Sequence, residues 1–502
     1  MEIIKQIEDK GEIKRKELRE AVSSGDSIVQ QFYDDAVVFM TGASGFLGKQ
    51  LIQKLLSSTN VKKIYILLRS RKEKNIEERL KTILDDLFLQ KENSDFIEKI
   101  IPIEGDVSHL HLGLDDKDWI RLTDEVHIVF HSAATTNFED PLKKATLTNV
   151  RGTREILRLA KSCKLLKSMV HVSTAYANAT KSRINGDVRE DFYTCPIQPE
   201  ALIEYAEHTD EDALDTMMKS LMSDWPNTYT FTKAVTEELV EAMAGDLPVC
   251  IVRPAVVISA YREPSPGWVD IKNAFGPSGI IAGAGLGVLH ALLVRKNISV
   301  DFVPVDIVNN AAIVAAWKTF VRYNKSDKQT NIYTIGNNFL KTLHTKGRKF
   351  VSNKSIWYCY GTDSQYKIIY LFLNWLLHYI PAGIVDGICM VIGKKPSYFS
   401  MNEWNFHDAN TLQLYNKLSD VDKEIYNFDM ATLDTEQMQL IWLLGVKKYI
   451  IKDDLGKCED AIKRQFWFKI AHYILFPLYL FSLFFVLYCI FILLCKFVQV
   501  LF

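Results

Sequence analysis

The sequence lacks several features that would assign it to other classes of protein. Its eight cysteines form no Cys-x-x-Cys pair and no regular framework, which disfavours a zinc site or a disulfide scaffold and is typical of reduced, cytosolic thiols. The 60 basic and 61 acidic residues balance, so no surface for nucleic acid is indicated. The stretch MEIIKQIEDKGEIKRKELRE has no apolar core of a secretion signal. We therefore expect no metal centre, no nucleic-acid partner and no secretion.

Charged residues are also scarce at the C-terminal end. Residues 474–502 carry one charged side chain, Lys496, and a run of this length can cross a hydrocarbon region of about 30 Å. A buried core helix is the alternative, but such a helix seldom lacks a polar face over that length. Because Lys463, Arg464 and Lys469 precede the run, we expect the rest of the chain to face the cytosol.

The middle of the chain predicts the fold class. A chain of 502 residues suggests two or three domains. Strand-like and helix-like segments alternate between residues 36 and 335, which is typical of an α/β fold with a Rossmann-like, doubly wound parallel sheet. Ligands in this architecture bind outside the carboxyl ends of the strands. The strand-like segments are AVVFM, KKIYILL, IIPIEG, VHIVFHSA, SMVHVST and VCIVRPA.

Three glycines follow the first of these strands. Gly42, Gly45 and Gly48 lie in MTGASGFLGK, between the strand and an apolar pattern with helical spacing. Glycines at such a turn let the backbone approach a pyrophosphate, and the N-terminus of the helix stabilises its negative charge. A tight turn without a ligand is the alternative, since the spacing alone is a weak motif.

Charged residues follow the second and third strands. Arg69, Arg71 and Lys72 follow KKIYILL, where a carboxylate would indicate NAD and a basic residue suits the extra phosphate of NADP. A solvated charge run is the alternative. Asp106 follows the third strand and is either an acceptor for the adenine amine or an ordinary turn-forming residue.

A second group of residues suits hydride transfer to a carbonyl, which needs a proton donor and groups that hold the carbonyl oxygen. Tyr229 and Lys233 are one helical turn apart, so the ammonium is expected to lower the pKa of the phenol. Ser173 and Thr174 end the preceding strand, and either hydroxyl is placed to bind the substrate oxygen. Asn149 lies in an earlier helix, where it would hold a water of a proton relay. Each of these residues also has an ordinary structural explanation, so the prediction depends on their occurring together in this order along the chain.

The motifs TGASGFLG, HSAA, NVRGT, HVSTAYAN, YTFTK and IVRPAVV together resemble the extended short-chain dehydrogenase/reductases over about residues 34–335. More closely, GWVDIKNAFGPSGIIAGAGLGVL and DFVPVDIVNNAAI resemble the fatty acyl-CoA reductases of animals, particularly the insect type. NEWNFHDANTLQLYNKLSDVDKEIYNFDMATLD is similar to the smaller C-terminal domain of that family. The resemblance implies an N-terminal extension at 1–33, a reductase domain at 34–335, a helical domain at 336–460 and a membrane anchor at 461–502.

The resemblance also implies roles for individual residues. The three glycines would hold the pyrophosphate of NADPH, and Tyr229 would donate the proton. Lys233 would bind the nicotinamide ribose, Ser173 or Thr174 would hold the carbonyl oxygen, and Pro254 would lie beside the nicotinamide carboxamide. The other candidate cofactor contacts are Thr41, Ser44, Phe46, Leu47, Val107 and Ala133.

The implied reaction is the NADPH-dependent reduction of a long-chain fatty acyl-CoA to a primary alcohol through an aldehyde, with release of CoA. A cytosol-facing enzyme with a C-terminal anchor suits the endoplasmic reticulum, with the peroxisome as alternative, and a homo-oligomer stays open. One rival is a dehydrogenase of sterols or nucleotide sugars with the same cofactor motifs. The other is a membrane-anchored scaffold that keeps the fold without turnover.

A second apolar region, residues 366–396, is broken by His378, Pro381 and Asp386. These interruptions disfavour a single clean membrane span. We expect an interfacial or acyl-chain-lining element, with a buried helical hairpin as the alternative.

Overall fold

The computed structural model describes most of the chain, and contacts divide it into two units. Unit 1 comprises Met1–Ala274, Val294–Lys341 and Gly393–Gly445, and unit 2 comprises Phe275–Leu293, Thr342–Ile392 and Val446–Phe502. The described residues are 2–70, 75–86, 94–270, 276–293, 295, 298–336, 352–360, 362–364, 366–374, 376–377, 397–454 and 458–501.

Strands and helices alternate through most of the described chain. The strands are β1 Val37–Thr41, β2 Lys63–Leu68, β3 Ile100–Glu104, β4 Ile128–His131, β5 Ser168–Val172, β6 Asp187–Val188, β7 Val249–Pro254, β8 Val256–Ile258, β9 Ala291–Leu293, β10 Phe302–Pro304, β11 Asn331–Ile335, β12 Thr362–Ser364 and β13 Asn405–Phe406. The α-helices are Glu2–Ser24, Ile28–Tyr33, Phe46–Ser58, Ile76–Asp86, Ser94–Glu98, Asp116–Glu125, Leu142–Ala145, Gly152–Ser162, Pro199–His208, Glu211–Met218, Thr228–Ala244, Pro277–Leu286, Val305–Tyr323, Lys367–Asn374, Ser397–Met401, Ala409–Asn416, Asp420–Ile425, Thr435–Gly445 and Cys458–Leu501.

A parallel sheet forms the centre of unit 1, with the strand order β11-β7-β5-β4-β1-β2-β3. The residues of β1, β5 and β7 are buried throughout, as expected for strands covered on both faces by helices. The six strands predicted from the sequence are present, and the Rossmann-like fold class is confirmed. The edge strand β11 was not predicted.

The strand order reverses beside β1, which pairs with β2 on one side and with β4 on the other. In a doubly wound sheet, such a reversal opens a crevice at the carboxyl ends of the two strands that flank it. The chain leaves β1 into the glycine turn and leaves β4 at His131. The glycine turn therefore lies at the position where this fold binds ligands.

Helices from residues 397–445 pack within unit 1. The ammonium of Lys54 donates to Glu263 Oε2 at 2.5 Å and to the carbonyl of Ile425 at 2.8 Å. The hydroxyl of Tyr426 donates to the carbonyl of Ser58 at 3.2 Å. The predicted domain 336–460 thus contributes residues to both contact units, and its boundaries as a separately folding domain stay a prediction.

Unit 2 contains the long terminal helix Cys458–Leu501. Among the described residues, one helix, Glu459–Lys496, is long and apolar enough to cross a membrane by length and composition. The sequence prediction of one long apolar C-terminal helix is therefore confirmed. The apolar region 366–396 is described only as the helix Lys367–Asn374 with its neighbours Tyr366, Leu376 and Leu377. Its breaks at His378, Pro381 and Asp386 lie outside the described residues.

Candidate active site

The glycine turn brings three backbone segments into contact. Gly42 has a φ of +76°, and a Cβ there would lie 2.6 Å from Ser132 Oγ and 2.7 Å from the backbone nitrogen of Ala133. A Cβ on Gly48 would lie 2.3 Å from the carbonyl oxygen of Gly42. Only glycine satisfies the conformation at residue 42 and both close approaches. The two glycines therefore let the turn pack closely against the loop after β4 and against the start of its own helix.

The helix Phe46–Ser58 starts in this turn. The residue before the helix is Gly45, which has no side chain and so cannot cap the first turn. The first N–H groups of the helix are thus available to an anion. Ser44, Phe46 and Leu47 are partly exposed around them. These residues fit the phosphates of a dinucleotide.

Thr41 has a structural role beneath the turn. Its hydroxyl lies 2.7 Å from His131 Nδ1 and accepts from the backbone N–H of Ala133 at 3.2 Å. His131 Nε2 lies 2.9 Å from the hydroxyl of Thr153. Burial lowers the pKa of His131 to about 3, so this ring is neutral. These hydrogen bonds join the end of β1 to the end of β4. They use the hydroxyl of Thr41.

Arg69 and Asp106 meet after β2 and β3. Arg69 Nη1 lies 3.6 Å from Asp106 Oδ2, and the arginine side chain is 55% exposed. Asp106 Oδ1 accepts from the backbone N–H and the hydroxyl of Ser108, at 2.9 and 2.8 Å. Asp106 therefore stabilises the turn after β3, which is the ordinary role that the sequence analysis considered for it. Arg71 and Lys72 lie outside the described residues. Arg69 therefore supplies an exposed positive charge after β2.

Asn149 lies on a π-helical turn, Thr146–Arg151, inside the run of helix from Leu142 to Ser162. Its amide oxygen accepts from the backbone N–H of Thr135 at 2.9 Å, and its amide nitrogen donates to Thr232 Oγ1 at 3.0 Å. The side chain therefore joins the loop after β4 to the helix that carries Tyr229.

Val107 is buried behind the same helical run. A Cβ on Gly152 would lie 2.8 Å from the carbonyl oxygen of Val107. The main chain of Val107 therefore fixes how closely the helix approaches the end of β3. Val107 is 8% exposed and belongs to the hydrophobic core of the sheet and its helices.

Tyr229 and Lys233 lie in the first two turns of the helix Thr228–Ala244, which Asn227 caps through its side chain. Lys233 Nζ donates to the carbonyl of Val172 at 2.8 Å, at the end of β5. Burial lowers the pKa of Lys233 to about 8, against the opposing charge of Glu237. Lys233 is thus held at the carboxyl edge of the sheet, with an ammonium that loses its proton more easily than usual.

The expected effect of Lys233 on the phenol is not found. Burial raises the pKa of Tyr229 to about 12, and the hydrogen bond from Thr174 opposes this rise. The sequence analysis predicted a lowered pKa from the ammonium one turn away. That prediction is wrong for this structure, because the ammonium is bonded to the main chain of β5 and desolvation dominates at the phenol. Tyr229 is therefore protonated at neutral pH.

Ser173 and Thr174, which the sequence left as alternatives, differ in their partners. The hydroxyl of Ser173 donates to Glu237 Oε1 at 2.6 Å. The hydroxyl of Thr174 opposes the rise in the pKa of the Tyr229 phenol, donates to the carbonyl of Pro254, the last residue of β7, at 3.4 Å, and accepts from the backbone N–H of Tyr176 at 3.2 Å. The structure therefore places Thr174, Tyr229 and Pro254 together and directs Ser173 away from them.

Sequence reasoning missed Glu237 and Arg253. Arg253 Nε and Nη2 donate to the two carboxylate oxygens of Glu237 at 2.8 and 2.6 Å, and both side chains are almost completely buried. The sequence did contain a sign of this pair, since a basic residue inside an apolar strand requires a buried acidic partner. Glu237 also lies four residues after Lys233, on the same face of the helix.

An aromatic cluster borders the phenol of Tyr229. Phe138 stacks on Tyr229 with ring centroids 5.9 Å apart, and Phe399 lies 5.7 Å from Phe138. Tyr176 contacts Phe399 at 4.9 Å and Phe406 at 5.1 Å. We call these residues, Phe138, Tyr176, Phe399 and Phe406, the aromatic wall. It gives the polar group of Tyr229 and Thr174 an apolar neighbour.

Comparison with known protein families agrees with this arrangement. Residues 40–312 match an NAD-binding family described as male sterility protein, and residues 396–453 match the Sterile family, which has the same description. Fatty acyl-CoA reductase wat from Drosophila melanogaster is 37% identical over 474 residues, which cover 89% of this chain and 90% of that protein. Fatty acyl-CoA reductase 1 from Homo sapiens is 33% identical over 462 residues, which cover 87% and 88%.

Solved structures support the fold. The terminal R domain from the myxalamid PKS-NRPS biosynthetic pathway has a TM-score of 0.57 at 22% identity, and the match covers 82% of this chain and 90% of that one. The reductase domain of the Aureusimine biosynthetic cluster has a TM-score of 0.52 at 18% identity, covering 86% and 97%. The shared feature is the Rossmann-like fold.

The buried ammonium of Lys233 predicts a pH-dependent stability. Its pKa of about 8 in the folded state lies below the ordinary value of 10.5, so the unfolded chain binds the proton more tightly. The free energy of unfolding should therefore rise between about pH 8 and pH 10.5, by about 3 kcal/mol in total. Lys233→Met should lack this rise, while the exposed Lys417→Met should keep it. Denaturant unfolding across this pH range measures the difference, and a wild-type-minus-Lys233→Met difference that does not change with pH would contradict it.

Proposed function

The chain belongs to the fatty acyl-CoA reductase family, as the sequence resemblance predicted, and from this membership we propose that it reduces long-chain fatty acyl-CoA to a primary alcohol with NADPH. Acyl reduction follows from the family, whereas the cofactor, the aldehyde intermediate and the alcohol product are our proposal. The observation that supports it most directly is the grouping of Tyr229, Thr174 and Lys233 at the carboxyl edge of the sheet, beside an apolar wall.

The residues around the glycine turn fit a nicotinamide dinucleotide. Gly42 lets the turn after β1 pack closely on Ser132 and Ala133 after β4, and the open N-terminus of the helix Phe46–Ser58 suits a pyrophosphate. When bound, the nicotinamide supplies the hydride in each of the two reductions. We propose NADPH because Arg69 is an exposed cation after β2, where a guanidinium would pair with the extra phosphate.

In the proposed mechanism, Tyr229 is the general acid. Its raised pKa keeps the phenol protonated at neutral pH, so it can donate to the carbonyl oxygen as negative charge develops there. Lys233 would hold the nicotinamide ribose and favour return of a proton to the phenolate. The first reduction converts the thioester to a thiohemiacetal, whose C–S bond then breaks to give an aldehyde and the protonated thiol of CoA. The second reduction adds a hydride and a proton to the aldehyde.

We propose that Thr174 rather than Ser173 holds the carbonyl oxygen. The Thr174 hydroxyl affects the pKa of the phenol, and its hydrogen-bond partners are uncharged backbone groups of Pro254 and Tyr176, so it can turn to an oxygen that the phenol also reaches. The Ser173 hydroxyl donates to buried Glu237. To act on substrate, it would have to leave a carboxylate that is itself paired with Arg253.

The aromatic wall supports an acyl substrate. Phe138 and Phe399 present apolar surface next to the reacting group, and apolar surface suits the first methylenes of a fatty chain better than a sugar ring with many hydroxyls. The terminal helix would anchor the protein in a membrane where such substrates and products partition. We propose a cytosol-facing orientation, in the endoplasmic reticulum or, alternatively, the peroxisome.

The reaction can be tested directly with membranes that contain the full chain. With NADPH and acyl-CoAs from dodecanoyl to tetracosanoyl, we expect the matching primary alcohols, identified by gas chromatography. Tyr229→Phe removes the acid and should lower the rate by roughly 100-fold or more. If no acyl-CoA gives alcohol while sterols or nucleotide sugars are oxidised or reduced, the proposed substrate is wrong.

The two neighbouring hydroxyls give a matched pair of variants. Thr174→Val keeps the shape of the side chain and should lower kcat by roughly 100-fold, because a donor to the developing oxyanion is lost. Ser173→Ala should lower thermal stability, since a donor to buried Glu237 is lost, with less than about tenfold change in kcat. Steady-state kinetics and thermal unfolding of both variants separate the effects. The opposite order of kcat losses would assign the oxygen contact to Ser173.

Arg69 tests the choice of cofactor. Arg69→Ala should raise KM for NADPH roughly tenfold, because a charged hydrogen bond to phosphate is lost, and should leave KM for NADH unchanged. Arg189→Ala, an exposed arginine elsewhere on the surface, is the control and should change neither value. Equal changes for the two cofactors on Arg69→Ala would show that this residue does not contact the extra phosphate.

A further inference from the structure

A short helix in unit 2 exposes an unusual amount of apolar surface. In the helix Lys367–Asn374, the side chains of Ile368, Leu371 and Phe372 are 82%, 51% and 57% exposed. The preceding Tyr366 is 62% exposed. We call residues 366–374 with Leu376 and Leu377 the apolar patch. Clustered exposed apolar residues of this kind mark a surface that contacts another apolar phase.

The apolar patch is hydrogen-bonded to the terminal helix. The hydroxyl of Tyr479 donates to the carbonyl of Leu376 at 3.0 Å, and both residues belong to unit 2. Tyr479 follows Pro477 and lies about half-way along the helix Cys458–Leu501. The depth of Tyr479 in a bilayer therefore sets the depth of the patch.

One face of the terminal helix is buried up to His472, including Ala461 and Gln465. Beyond His472, Ile474, Leu475 and Leu478 are at least half exposed, and the most apolar window of the helix has none of its residues buried. The remaining segment, residues 481–501, is about 30 Å long at 1.5 Å per residue, which matches the hydrocarbon thickness of a bilayer. With residues 481–501 as the crossing segment, Tyr479 would lie at the membrane–water boundary, where tyrosine is enriched.

We propose that the apolar patch lies in the interfacial region of the same leaflet that the terminal helix enters and forms a second membrane contact. The occupant is lipid rather than protein, because the patch is continuous with the boundary end of a membrane-spanning helix. Residues 366–377 also contain no acidic side chain, and Lys367 begins the helix, where its ammonium would reach the headgroups. The inference rests on the membrane anchoring proposed above.

A second contact has a mechanical consequence for unit 2. A single spanning helix fixes the distance of a domain from the membrane but leaves it free to rotate about the helix axis. Insertion of Ile368, Leu371 and Phe372 beside that helix removes this freedom, because rotation would expose their apolar surface to water. Unit 2 would then present one defined face to the bilayer.

The depth of the patch can be measured on the full chain in phosphatidylcholine liposomes. A genetically encoded fluorescent amino acid replaces Ile368, Leu487 or Ile120 in turn, and nitroxides are attached to lipid chains near the headgroup or near the chain end. The probe at position 368 should be quenched at least about twofold more by the shallow nitroxide than by the deep one. The probe at 487 should show the reverse order. The probe at 120, an exposed position in unit 1, gives the reference level of quenching for a position that the proposal does not place in the membrane.

Each other outcome has a distinct meaning. Quenching at 487 but not at 368 would overturn the second contact and leave the anchor intact. A blue-shifted but unquenched probe at 368 would also overturn it, since the patch would then be covered by protein, including a second copy of the chain. Absence of quenching at both positions would overturn the anchor as well, while acyl reduction would still stand on its own assay.

Discussion

The buried ion pair between Glu237 and Arg253 is the interaction on which the geometry of the candidate site depends. Two charges with almost no solvent exposure are tolerated only when they are paired and their remaining hydrogen-bonding capacity is used. Here Ser173 and Asn178 donate to the carboxylate, and Arg253 also donates to the backbone carbonyls of Arg189 and Asp191. The pair thereby joins β7, the end of β5 and the helix Thr228–Ala244. Ser173 is used in this network, which leaves Thr174 beside the phenol.

The opposite side of the crevice is organised by close contact rather than by charge. Gly42 and Gly48 allow the turn after β1 to approach β4 and its own helix more closely than any side chain permits. The closely packed backbone of the glycine turn, with its free N–H donors, suits a dinucleotide. The aromatic wall on the other side suits an apolar acyl chain. In unit 2, the terminal helix and the apolar patch leave apolar surface exposed, and under the proposed membrane anchoring this surface would be covered by lipid.

Much of the fold was predictable from local patterns. The six predicted strands, the glycine turn and the terminal helix follow from apolar runs, glycine spacing and the scarcity of charge. The edge strand β11, whose sequence is NIYTI, was missed although its β-branched and aromatic residues are typical of a strand. The π-helical turn at Asn149 was missed because no local pattern marks it, and its side chain contacts Thr135 and Thr232, which lie elsewhere in the chain.

The sequence by itself determined the fold class, the family, the cofactor turn and the identity of the candidate acid, because these follow from residue type, spacing and order along the chain. Only the tertiary structure gave Ser173 and Thr174 different partners, raised rather than lowered the pKa of Tyr229, and brought Phe138 together with Phe399. Each of these depends on desolvation or on a contact between segments distant in the chain. Such effects are set by three-dimensional packing, which a local pattern of residues does not contain.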